Sequence, residues 1–160
     1  MGFIPLPHFI LSCCFVSRYI MAGNREEQVL SIFRYLDEQN VARPKVLIET
    51  GTNIGKATRI FSKHFPFVET IEINEKCYKK AVESSKDFPN IVFRLGDSAD
   101  ILPALCDKYI SEPVVFLLDA HSIKSLPKLK EGFPIWKELC AILSRNKPDV
   151  IMVDDIHTFG

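Results

Sequence analysis

No charge of either sign predominates in this chain. Its 160 residues carry 20 Lys and Arg against 20 Asp and Glu, so the formal net charge is zero and the pI lies near 6.9. That balance gives no support to nucleic-acid binding through net charge, and no nucleic-acid partner is expected. The five cysteines (Cys13, Cys14, Cys77, Cys106 and Cys140) form no CxxC pair and no zinc-like spacing. They read as reduced, mostly buried thiols of a cytoplasmic protein. None stands at a strand end with a histidine beside it, which sets aside a catalytic thiol. No apolar run is long enough to cross a bilayer. FILSCCFV over 9–16 is far too short, so no membrane partner is expected. The residues before it lack Lys and Arg and hold Pro5 and Pro7, which disfavours a signal peptide cleaved at Ala22. Met21 reads instead as an alternative start, with 1–22 as an extension. Repeats and low-complexity tracts are also missing. What remains is a chain of ordinary globular composition, 47% apolar and 25% charged, long enough for one domain with a real core.

Residues 24–40 predict an amphipathic helix. Val29, Leu30, Ile32, Phe33 and Leu36 make its apolar face, and Asn24 with Glu27 makes a capping box. Pro44 ends this segment, so 23–44 is a helix and linker. From Lys45 strands and helices alternate. Strands are expected over 45–49, 68–73, 91–95, 113–119 and 149–154, and helices over 55–65, 75–86, 98–110 and 134–146. Strands rich in Val, Ile, Leu and Phe predict a sheet covered on both faces. The alternation predicts an α/β fold, a doubly wound parallel sheet. The long basic stretch between Asp119 and Phe133, interrupted by Pro127, reads as a substrate loop or a plain surface loop.

Each strand runs into an acid: Glu49, Glu72, Asp97, Asp119, and the pair Asp154–Asp155. A parallel sheet collects those ends on one edge, where open α/β sheets bind ligands. Crowded carboxylates need hydroxyls, amines or cations around them.

The turn ETGTNIGKAT over 49–58 joins the first strand to the next helix. Gly51 permits a tight turn, Gly55 lets the helix start close to the sheet, and Asn53 tolerates a left-handed backbone. The spacing does not fit a phosphate loop, because Thr52, Asn53 and Ile54 alone separate the glycines and Ala57 follows Lys56. It does not fit the nicotinamide fingerprint GxGxxG either.

The chain resembles the class I S-adenosylmethionine-dependent methyltransferases. Their loop is often written E/D-x-G-x-G-x-G, matched here by Glu49, Gly51 and Gly55, with Asn53 in place of the middle glycine. IEIN, GDSADILP and LLDAHS follow in the family's order, from about Lys45 to Gly160. The set looks closest to a little-characterised branch with an ETGT loop and an LDAH motif. The resemblance implies a Rossmann-like sheet of order 3-2-1-4-5 and S-adenosyl-L-methionine as cofactor. Residues 45–160 would then be the cofactor-binding domain, incomplete at its C-terminus, since family sheets commonly carry two more strands. It implies that Glu72, about 20 residues beyond Gly51, receives the ribose hydroxyls. By the same resemblance Asp97 takes the adenine amino group, and Ile73 and Ala99 touch the ring; read from the residues alone, Ser98 caps the following helix, with Asp97 sharing that work. Glu49 orders the loop near the methionine amino group or bonds loop amides only.

Two Asp-x-His tips close the last strands: Asp119–His121 and Asp155–His157. Three explanations stand side by side. One of Asp119, His121 or His157 is a general base for the acceptor. Alternatively Asp119, His121, Asp155 and His157 hold a divalent metal that lowers the acceptor's pKa. In the third, the acids cap loops and the histidines are structural. The function expected is transfer of a methyl group to a small-molecule substrate, at oxygen. Competing expectations are a methyltransferase-fold protein without activity and a nicotinamide-dependent oxidoreductase.

Overall fold

The computed structural model describes residues 24–120 and 134–154. Its elements run α1 (Arg25–Glu38), β1 (Val46–Thr50), α2 (Lys56–Phe61), β2 (Phe67–Glu72), α3 (Glu75–Ser84), β3 (Ile91–Leu95), α4 (Ser98–Lys108), β4 (Val114–Leu118), α5 (Pro134–Ser144) and β5 (Val150–Val153). All strand pairings are parallel, as the alternating pattern predicts, and the order is β3-β2-β1-β4-β5, as the resemblance implies.

Side chains alternate across each strand, and the two faces find different partners. Leu47, Val68, Val115, Leu117 and Met152 pack with Val29, Ile32, Phe33 and Leu36 of α1, and with Phe61 and Phe65 around α2. Val46, Ile48, Ile71, Val114, Phe116 and Leu118 face Leu102, Leu105 and Cys106 of α4, and Ile135 and Ile142 of α5. β1 and β4 are buried throughout, which places them at the centre. β3 lies at the rim, and its Val92 and Leu95 are exposed.

The Asn24 capping box forms as expected: Asn24 accepts from the backbone of Glu26 and Glu27, and the Glu27 carboxylate accepts from Asn24 N–H. Three expectations need correction. Leu30 lies on the solvent side of α1, 46% exposed, one position outside the apolar arc. Helix α2 stops at Phe61, short of the expected Phe65, because a turn over 62–64 follows it, ahead of Pro66 and the start of β2 at Phe67. Of the described thiols, Cys106 is buried, but Cys77 is only partly covered and Cys140 is exposed. Among the described residues no helix is long and apolar enough to cross a membrane.

Away from the strand tips, the start of β4 is locked by a buried ion pair. Arg145 Nε donates to Asp149 Oδ2 at 2.7 Å, and its remaining donors reach the carbonyls of Cys106, Tyr109 and Glu112. Asp149 Oδ1 accepts from Val114 N–H at 2.8 Å. Both side chains are almost wholly buried.

Candidate functional site at the strand tips

The parallel register brings the strand tips into line. Thr50 sits opposite Ile71 and Leu118, Glu72 opposite Leu95, and Leu118 opposite Val153. The next residue of each strand continues the ladder: Gly51 N–H donates to Ile71 O, Gly96 N–H to Glu72 O, Asp119 N–H to Thr50 O, and Asp154 N–H to Leu118 O. Glu72, Asp97, Asp119 and Asp154 therefore share one edge, as the strand endings predict.

The turn after β1 is shaped by backbone geometry. Gly51 has φ 88°, and a Cβ there would lie 2.4 Å from the carbonyl oxygen of Asp119. Glycine is thus required twice, by conformation and by the approach of the chain leaving β4. Asn53 takes φ 52°, the left-handed backbone that asparagine tolerates. Gly55 opens α2 at φ 73°, close against Ala81 of α3.

Two acids of the edge make different bonds within the chain. Glu72, not Glu49, orders the loop: its Oε2 accepts from Asn53 N–H at 2.6 Å and its Oε1 from Asn74 N–H at 2.8 Å. Glu49 is fully buried behind the turn and bonds hydroxyls instead of loop amides. Its Oε2 accepts from Thr58 at 2.5 Å and from Thr70 at 2.7 Å, while its Oε1 has no hydrogen-bond partner among the described residues. The cause is position along the sheet: Glu49 pairs with Thr70, two residues before Glu72, and points into the layer beneath α2.

Burial pushes the Glu49 carboxyl up to about 7. The two threonine hydroxyls and Arg25 oppose that rise, and Asp119 adds to it. A carboxyl raised by burial favours folding in its protonated form. Its contribution is complete below the unfolded value near 4.5 and is lost as pH rises through about 7. Glu49→Gln should therefore match the native protein near pH 4.5 and gain on it up to pH 8, on the order of 3 kcal/mol at most. Urea unfolding at several pH values measures this; a difference that does not vary with pH contradicts it.

Asp97 is the N-cap of α4 and accepts from Ala99 N–H at 2.9 Å. Of the two capping candidates Asp97 is the cap, and Ser98 is the first helical residue. Ser98 is buried beside Glu138 of α5, whose carboxyl also lies near Thr50; burial raises the Glu138 pKa. Ile73, just past β2, is 53% exposed, and Ala99 is partly covered.

Asp119 Oδ2 accepts from Arg25 Nη2 at 2.9 Å, and the same nitrogen is ion-paired with Asp154 Oδ2. His121, Asp155 and His157 lie outside the described residues. Among the described residues no group of three or more His, Cys, Asp or Glu could hold a metal ion.

Sequence reasoning missed Arg25, Glu69 and Glu138. Glu69 lies three residues before Glu72 and so faces the opposite side of the sheet. It is held there by Arg94 Nε at 2.7 Å, Tyr109 OH at 2.8 Å, and Lys108. Burial acts to raise its pKa, but these three donors outweigh burial and lower it. Its strand position was the readable signal. Arg25 and Glu138 carried none, since their partners are remote in sequence.

Strand order, crossovers and the glycine turn define the doubly wound α/β fold of the Rossmann-like methyltransferases. No family model matches the chain, and no curated protein matches it by sequence. Solved structures do match in fold. SMU.1697c from Streptococcus mutans, classed as a methyltransferase and solved with SAH, superposes with a TM-score of 0.53 at 16% identity, over 78% of this chain and 68% of that one. Precorrin 8W decarboxylase from Methanobacterium thermoautotrophicum gives 0.55 at 16% identity, over 82% and 65%. An rRNA methylase from Streptococcus thermophilus gives 0.51 at 14%, over 81% and 74%. At such identities the likeness establishes the fold.

Proposed function

We propose that this protein is an S-adenosyl-L-methionine-dependent methyltransferase that acts on a small-molecule acceptor, at oxygen. The observation that carries the reading is the common edge formed by Glu72, Asp97, Asp119 and the Gly51–Gly55 turn. The residues fit the cofactor by their chemistry. Glu72 and Asp97 offer carboxylate oxygens to ribose and adenine donors, and exposed Ile73 offers an apolar surface for the ring. Gly51 lets the turn lie directly against the chain leaving β4, which keeps Asp119 beside it. The acidic edge suits a cation, and the cofactor when bound supplies an electrophilic methyl on a positively charged sulfur. Transfer needs alignment of acceptor and methyl more than any single side chain. Asp119, His121 and His157 are the candidates for orienting an acceptor or taking its proton. The zero net charge supports a small acceptor over RNA, although an rRNA methylase shares the fold.

A second reading is cofactor binding without turnover. It draws on Arg25, which already engages both Asp119 and Asp154.

Calorimetry with S-adenosylmethionine, S-adenosylhomocysteine and NAD tests the proposal. The two adenosyl compounds should bind and NAD should not. Glu72→Ala and Asp97→Ala should each weaken binding about tenfold or more, the loss of a charge-assisted hydrogen bond. Unchanged affinity in both variants defeats the site assignment. Binding without turnover across an acceptor panel selects the second reading.

A further inference from the structure

Arg25 is the first residue of α1, and its side chain leaves the helix to lie across the ligand edge. One guanidinium nitrogen meets a carboxylate from the chain after β4 and another from the chain after β5. Nη1 donates to Gln28 at 3.1 Å, which fixes the fork from its own helix. The group is only 22% exposed, so its charge is weakly screened. Anchorage comes from the Asn24 capping box one residue earlier and from the buried face of α1. Helix α1 precedes the sheet in sequence, yet through this residue it forms part of the ligand edge.

We propose that Arg25 is a positioning residue: it clamps Asp119 to Asp154 and tempers the negative charge of the edge, thereby setting how strongly the site prefers a sulfonium to a neutral thioether. This rests on the methyltransferase reading and extends it. An edge of bare carboxylates would hold the cation tightly and the spent cofactor weakly. An arginine between two of them reduces that difference, because substrate and product of the transfer differ by one positive charge at sulfur.

Two measurements separate this inference from its parent reading. The first is the ratio of affinities for S-adenosylmethionine and S-adenosylhomocysteine. Arg25→Gln should move that ratio toward the sulfonium by roughly fivefold. Arg25→Lys, which keeps the charge, should hold it near native. Equal loss of both ligands, with the ratio unchanged, overturns the proposal and leaves Arg25 as a helix anchor only. The second needs no ligand: a double-mutant cycle between Arg25→Gln and Asp154→Asn, read by urea unfolding. Non-additive effects support the clamp, and simple additivity overturns it. If the native protein bound neither adenosyl compound, the methyltransferase reading and the charge-setting role would fall together, and the cycle would still decide whether the clamp exists.

Discussion

Gly51→Ala is expected to destabilise the protein by roughly 3 kcal/mol or more and to abolish adenosyl binding in what remains folded. The added methyl would stand 2.4 Å from Asp119 O and 2.6 Å from Asp119 C, both backbone atoms. No rotamer change relieves a contact between main chains, so either the turn or the chain leaving β4 must move. Each movement separates elements that belong to the same edge. The φ of 88° adds strain that alanine cannot relax. Thermal unfolding should show a fall of about 10 °C. Gly55→Ala is the useful comparison, since its nearest neighbour, at 3.2 Å, is a side-chain methyl of Ala81. It should cost less, and a Gly51→Ala protein melting within about 2 °C of native contradicts the packing described here.

Asp149→Ala should have a comparable effect on stability for a different reason. It leaves Arg145 charged and buried, with three carbonyls as its only remaining acceptors among the bonds described. It also strips the acceptor from Val114 N–H at the start of β4. Breaking one partner of such a pair costs roughly 3–5 kcal/mol. Asp149→Asn keeps an oxygen for Val114 and should fall between. The cluster sits at the opposite end of β4 from Asp119. Cofactor affinity measured on folded protein should therefore stay near native in Asp149→Asn. Chemical denaturation with parallel calorimetry checks both statements; a large affinity loss would show that the two ends of the sheet are coupled.

The sheet was legible because its signals are local. Apolar strands, helices between them and an acid at each tip are all contained within short windows. The Asn24 capping box and the glycine turn were readable for the same reason. Site detail was readable only where the alternation of a strand could be followed. Glu49 and Glu72 both end strands, yet one turns inward to Thr58 and Thr70 while the other holds Asn53 N–H. Parity puts both on the same face, since Glu49 pairs with Thr70 and Glu72 lies two residues further on; they differ in how far along the sheet they stand, which neither parity nor the family pattern foretells. Arg25 was beyond reach. Its two partners lie 94 and 129 residues away, and a basic residue in the first turn of a helix has no local purpose to announce.

Asn53 has one more consequence. An asparagine at a left-handed position has fewer unfolded conformations available than a glycine would have there. Its N–H is already spoken for by Glu72, so the turn holds its shape before any ligand arrives. Association at this edge then resembles docking onto a preset mould, with little ordering entropy to surrender on contact.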